Sequence, residues 1–237
     1  MTSNGLQSKV IVITGGSSGI GRAVAQELAR DGHSFLLVGR DKNRLEETIG
    51  RVEELGGKAL AAVGDVASPD NVEEHYKKVN EEFGPVDVLI ANAGVGYFGE
   101  LEQLTINEYD EQFDTNVRGV FLWIKQVLPS MKERDTGQII VTSSNLGLET
   151  SARASIYAAT KHAVQAMVGC LRKELKDTNV KAATVNPGSV STPWFDGKDV
   201  NRSRMLSAED VAKAFKVIVE QSETSDIDHI HLLPTKR

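Results

Sequence analysis

Tyr157 and Lys161 stand four residues apart in the stretch SIYAATKHAV, 155–164, which is rich in alanine and free of proline and glycine. That composition reads as helix, and four residues are one turn, so a phenol and an ammonium group share a face. A free tyrosine, with a pKa of about 10, is a poor proton carrier at neutral pH. A lysine one turn away favours the phenolate and would draw it toward a useful range. Ser144, thirteen residues before the tyrosine, offers a hydroxyl able to hold an oxygen atom. Asn116 interrupts an apolar stripe of Tyr109, Phe113, Val120, Ile124, Val127 and Met131. An amide on such a face must be hydrogen-bonded, and here it would anchor a water between Lys161 and solvent. These four groups suit moving a proton to or from an oxygen while a hydride moves at the adjoining carbon. That is carbonyl reduction or alcohol oxidation. Ser144, Leu146, Tyr157 and Trp194 are the candidate substrate contacts.

Positioning such a set requires a rigid frame. Short β-branched runs at 9–14, 34–39, 58–64, 86–92, 137–144, 181–186 and 229–233 alternate with helical patterns at 19–31, 41–55, 69–83, 105–132, 155–177 and 207–221. Several strands are apolar throughout, the mark of a parallel sheet covered on both faces. Strict alternation with right-handed crossovers predicts an α/β fold, a Rossmann-type doubly wound parallel sheet of about seven strands in one domain spanning 1–237. Ligands of such sheets sit beyond the carboxyl ends of the strands.

The first strand runs into TGGSSGIG, 14–21, where Gly15, Gly19 and Gly21 allow a tight turn and Ser17, Ser18 and Ile20 complete it. A glycine-rich strand-to-helix turn brings backbone N–H groups and a positive helix end to a pyrophosphate. The second strand ends in Gly39-Arg40-Asp41, where the adenosine ribose of a dinucleotide would lie. Arg40 suits a 2′-phosphate and therefore NADP(H); Asp41 could reach the same ribose. Asp65 and Val66 end the third strand, with the carboxylate placed to accept from an adenine amino group. Asn92, Ala93 and Gly94 end the fourth, small enough for close approach of a cofactor.

The ordered series TGGSSGIG, Asn92-Ala93-Gly94, Asn116, Ser144, Tyr157-Ala-Ala-Thr-Lys161 and Asn186-Pro187-Gly188 resembles the short-chain dehydrogenase/reductases of about 250 residues. The resemblance implies NAD(P)(H)-dependent oxidoreduction by a Ser–Tyr–Lys–Asn tetrad. It also implies cofactor contacts from Tyr157, Lys161, Pro187, Gly188, Val190 and Thr192, the last two meeting the nicotinamide carboxamide and a phosphate. NADP-preferring members often carry a basic residue where this chain has Ser18, so NAD(H) stays possible. A substrate loop follows at about 188–206, in which Trp194 and Phe195 could form an apolar lid and Arg202 or Arg204 could meet a carboxylate.

The chain has 237 residues, 40% hydrophobic and 25% charged, with a net charge of −6. That balance excludes a backbone-tracking nucleic-acid binder, which needs a positive field. One cysteine, Cys170, and five scattered histidines give no disulfide and no metal site. No 18-residue apolar run predicts a membrane span, and the opening residues lack a signal-peptide pattern, so the expected location is cytoplasmic. Ala159, Ala163, Ala166 and Cys170 form a second, small face on the Tyr157 helix, which predicts packing against another copy in a homodimer or homotetramer. The leading expectation is a reductase of a small ketone or aldehyde. The alternatives are a 3-oxoacyl-thioester (acyl-carrier-protein) reductase and a non-catalytic NADP-sensing regulator.

Overall fold

A computed structural model of the chain describes residues 8–235. The opening stretch read for a leader lies almost wholly outside the described residues. In chain order the elements are β1 (Val10–Thr14), α1 (Gly19–Ala29), β2 (Ser34–Gly39), α2 (Lys42–Glu54), β3 (Lys58–Val63), α3 (Pro69–Phe83), β4 (Val88–Ala91), α4 (Ile106–Phe113), α5 (Gly119–Glu133), β5 (Gly137–Thr142), α6 (Ser155–Glu174), β6 (Val180–Pro187), α7 (Ala208–Val219) and β7 (His229–Leu232). The strands form one sheet in the order β3-β2-β1-β4-β5-β6-β7, with every neighbouring pair parallel. Strand order reverses between β1 and β4, which opens a crevice at their carboxyl ends.

Alternation of side chains across the sheet divides the core in two. Val10, Val12, Leu36 and Val38 face one side and pack with Val72 and Val79 of α3, Trp123 and Val127 of α5, and Val164, Val168 and Leu171 of α6. Ile11, Ile13, Phe35 and Leu37 face the other and meet Val24 and Leu28 of α1, Leu45 and Val52 of α2, and Val211, Phe215 and Ile218 of α7. Both faces are therefore covered, which is why these strands carry no polar alternation.

Two departures from the sequence reading matter for the site. The single helix expected over 105–132 is two helices joined by one turn of π-helix, Asp114–Arg118. That wide turn rotates the halves against each other. Val120, Ile124, Val127 and Met131 are buried as expected, but Tyr109 is 42% exposed and stacks on Phe113 at 4.6 Å instead of joining the core. The strands expected to reach 92 and 144 also stop early, at Ala91 and Thr142. The N–H groups of Asn92 and Ala93 turn away from the ladder to the Thr14 hydroxyl.

Helix starts differ in a telling way. Asp41, Ser68, Thr105 and Ser207 each cap α2, α3, α4 and α7 through a side chain, whereas Ser18 before α1 and Ala154 before α6 give no side-chain cap. α5, which continues out of the π-helical turn, has no side-chain cap either, and α1 and α6 begin at the carboxyl edge of the sheet, as do the other helices that directly follow its strands. On α6 the small face is open: Ala159, Ala166 and Cys170 are exposed and Ala163 is half-buried. No helix among the described residues is long and apolar enough to cross a membrane.

Candidate active site

The carboxyl ends of β1, β4 and β5 are stitched together by three polar side chains. Thr14 Oγ1 accepts from the N–H groups of Asn92 at 2.9 Å and Ala93 at 3.0 Å. Asn92 returns a bond from its amide to the Thr14 carbonyl at 3.1 Å and accepts one from Thr142 Oγ1 at 3.1 Å. The glycine turn rests directly on this knot. Gly15 has φ of +67°, and a Cβ there would lie 2.9 Å from the Ala93 Cα. A Cβ on Gly21 would lie 2.2 Å from the Gly15 carbonyl oxygen and 2.8 Å from the Asn92 amide nitrogen. Only bare backbone fits. Ser17 faces the end of β2 across Gly39, and Thr192 packs its side chain 3.4 Å from the Cβ position of Gly19. Pro187 closes β6, the Gly188 N–H donates to the Leu232 carbonyl at 2.8 Å, and buried Val190 pairs with Leu206. Uncapped N–H groups at the start of α1, Ser18 to Gly21, thus sit in a cradle whose walls are backbone and small side chains. That is a fit for a dinucleotide pyrophosphate.

At the end of β2 the two candidates for the ribose separate. Asp41 accepts from the Arg44 N–H at 3.1 Å and pairs with its guanidinium at 3.4 Å, so the carboxylate is engaged in starting α2. Arg40 is 72% exposed, its guanidinium 3.6 Å from Glu111 of α4. Asp65 is exposed and accepts from the Ala67 N–H at 2.9 Å, while Val66 is buried against Gly119.

Beyond β5 the tetrad residues come together. Lys161 is 4% exposed; its ammonium donates to the Thr142 carbonyl at 2.9 Å and lies 5.7 Å from the centre of the Tyr157 ring. Burial depresses its pKa to about 8. Ser144 is buried and accepts from the Leu146 N–H at 3.1 Å, starting a short turn at Asn145–Gly147. Gly147 lets that turn approach α6, since a Cβ there would lie 2.9 Å from the Lys161 carbonyl oxygen. Burial raises the Tyr157 phenol to about 12, against a lowering hydrogen bond from Ser144. In the chain alone the phenol is therefore displaced upward, not downward as the neighbouring lysine suggested. Lys161 is not among the groups that move it. Asn116 sits in the π-helical turn, 1% exposed. Its amide accepts from the Val95 N–H at 2.8 Å and donates to the Val95 carbonyl at 2.8 Å and to Thr160 Oγ1 at 3.0 Å. It clamps the strand-four loop to α6.

Several residues around the candidate site were not anticipated. Gly96 lies under three aromatic side chains: a Cβ there would meet Trp194 at 2.5 Å, Tyr157 at 2.9 Å and Phe98 at 3.0 Å. Phe98 and Trp194 flank Tyr157 with ring centres at 5.2 and 5.9 Å. Lys198 extends over Phe98, Trp194 and Phe195 at 5.7 to 6.0 Å. The lid reading of Trp194 and Phe195 thus gains Phe98 from the opposite side. Arg202 pairs with Asp196 at 2.6 Å within its own loop. Leu146 is half-buried beside Ser144. The glycines at 94 and 96, so close after a strand, were the available signal for the aromatic mouth; Thr14 and Thr142 carried none.

A family model for short chain dehydrogenases matches residues 9–202. The chain belongs to that family. Among curated relatives, an uncharacterised oxidoreductase of Staphylococcus epidermidis is 31% identical over 229 residues, 97% of this chain and 98% of the relative. Among solved structures, an alcohol dehydrogenase of the archaeon Thermococcus sibiricus, complexed with 5-hydroxy-NADP, is 34% identical with a TM-score of 0.91 and 98% coverage of both chains. A metagenomic short-chain oxidoreductase in complex with NADP is 27% identical with a TM-score of 0.86, covering 99% of this chain and 100% of that one. As a short-chain dehydrogenase the chain is an oxidoreductase, and its seven-stranded parallel sheet is the fold of those neighbours.

Proposed function

We propose that this short-chain dehydrogenase is an NADP(H)-dependent carbonyl reductase and alcohol dehydrogenase acting reversibly on a small ketone or aldehyde. The observation that carries the reading is the meeting of Ser144, Tyr157 and Lys161 beyond β5, facing the glycine cradle and roofed by Phe98 and Trp194. NADP(H), when bound, supplies or takes the hydride. Gly15 to Gly21, Thr192 and Val190 would hold its phosphates and nicotinamide end, and Arg40 its 2′-phosphate, while Asp41 stays in its cap. The two solved neighbours named above carry NADP or its 5-hydroxy form, which supports the same preference here.

The chain's own residues handle the proton. In reduction Tyr157 Oη gives a proton to the oxygen as it gains charge, and in oxidation takes it back. Ser144, whose one hydroxyl proton points to Asn145 Oδ1 in the chain alone, would turn it to the substrate oxygen as that oxygen gains charge. Lys161, 5.7 Å from the ring centre, does not itself shift the resting phenol but would offset negative charge that develops on Tyr157 during the reaction. Asn116 holds the loop and helix that carry these groups at fixed separation. The apolar rings of Phe98 and Trp194 beside Tyr157 would favour a compact apolar substrate over an extended thioester. We read the open small face of α6 as the seat of a second copy; a monomer mass in light scattering at micromolar concentration would refute that.

The test is cofactor oxidation followed at 340 nm over a panel of ketones and aldehydes, with NADPH and NADH in parallel. Turnover with NADPH preferred is the expected result. A clear NADH preference would overturn the role of Arg40, and no turnover across the panel would overturn the substrate class.

A further inference from the structure

Arg40 does not stand free at the mouth of the cofactor site. Its guanidinium lies 3.6 Å from one carboxylate oxygen of Glu111, on α4. The other oxygen of Glu111 accepts a 2.6 Å hydrogen bond from the Tyr97 hydroxyl, which raises the phenol's pKa. Tyr97 is itself held, since its N–H donates to the side chain of buried Gln112 at 3.2 Å. The carboxylate is therefore fixed on the Arg40 side from two elements at once and is not a freely swinging surface acid.

We propose that Glu111 is a specificity-determining residue that tempers the preference of this chain for the 2′-phosphorylated cofactor. The inference rests on the reading of Arg40 as the 2′-phosphate ligand. A phosphate dianion that takes up the Arg40 guanidinium must share it with Glu111 or displace it, and lies within a few ångströms of a like charge in either case. An adenosine with a free 2′-hydroxyl meets no such opposition, because a neutral hydroxyl gains nothing from the removal of a carboxylate. Glu111 thus lowers affinity for one class of nucleotide and leaves the other untouched. Both partners are solvent-exposed, 72% and 38%, so the effect is moderate and screened by salt.

The experiment is isothermal titration of the protein with 2′,5′-ADP and with 5′-AMP, fragments that differ only in the 2′-phosphate. Glu111→Gln keeps the shape of the side chain and an oxygen for the Tyr97 hydroxyl while removing the charge. It should bind 2′,5′-ADP about three- to tenfold more tightly than the parent at low ionic strength, with 5′-AMP unchanged. The gain should shrink as sodium chloride is raised. A parent that prefers 2′,5′-ADP and a Glu111→Gln variant with equal or weaker 2′,5′-ADP binding would overturn the role of Glu111 alone. A parent that binds the two fragments equally would overturn the reading of Arg40, and with it this one.

Discussion

The knot where β1, β4 and β5 end and the loop that follows β6 face each other across the same mouth, and they are built on opposite plans. Around the knot, Thr14, Asn92, Asn116, Thr142, Ser144 and Lys161 are joined to backbone or to one another by directed hydrogen bonds, and all but the half-buried Asn92 are buried. The loop from Pro193 to Leu206 has two single 3₁₀ turns, an ion pair within itself and one aromatic ring, that of Trp194, laid against Tyr157. One region fixes atoms along which, on the proposed function, a proton would travel a short and constant path. The other offers surface that can be remodelled without disturbing that path. On the function proposed above, chemistry would belong to the first and choice of substrate to the second.

Four variants would break or sharpen that contrast. Tyr157→Phe removes the group proposed to move the proton, and should lower kcat by about a thousandfold or more while the cofactor Kd changes less than about twofold. Retained turnover would refute the assignment. Next comes Gly21→Ala, whose new methyl would lie 2.2 Å from the Gly15 carbonyl oxygen. Because the backbone there is pinned, a loss of about 3 kcal/mol in urea denaturation is expected, together with loss of dinucleotide binding. A harmless substitution would show that the turn is as adaptable as the loop.

The third variant uses the buried cation. Lys161 titrates at about 8 in the folded chain against 10.5 when exposed, so the unfolded chain holds more protons between those values and stability rises with pH across the window. Lys161→Met should be inactive yet more stable at pH 7 by about 1 to 3 kcal/mol, after allowing for the lost bond to the Thr142 carbonyl. Its advantage should vanish as the pH climbs from 8 to 10.5; thermal melts across that range give the answer, and a variant less stable at pH 7 would contradict it. The smallest effect belongs to the loop. Trp194→Ala should raise KM for apolar ketones about five- to tenfold, with kcat within about twofold and stability within about 1 kcal/mol. A collapse of kcat would place the loop with the knot.

How far the sequence reveals all this follows the range of the interactions. Tyr157 and Lys161 are legible because a helix turns spacing directly into shared direction, and the strands because burial on both faces demands unbroken apolar runs. The glycine turn is legible because few other residues tolerate such close approach. What escapes is held together from a distance. Arg40 and Glu111, or Thr14 and Asn92, meet only because the sheet orders its strands out of sequence. The aromatic mouth needs Gly96 and Trp194 brought together from two different loops. The π-helical turn is hidden for another reason: one residue too many per turn barely disturbs an apolar pattern that the buried side chains of α5 alone can satisfy.

That turn also sets a rule for the length of the chain. Between the capping box at Thr105 and the buried Trp123, α4 and α5 are joined without a break by the π-helical turn, which shifts their helical phase. Deleting one residue from 114–118 would let the segment relax to ordinary helix, rotate its two halves by about 100° and carry Asn116 off Val95 and Thr160. A residue added after Pro193 would merely lengthen a loop. Gaps and insertions are therefore admissible on one rim of the active site and forbidden on the other, so the spacing at 114–118 is a count the chain must keep.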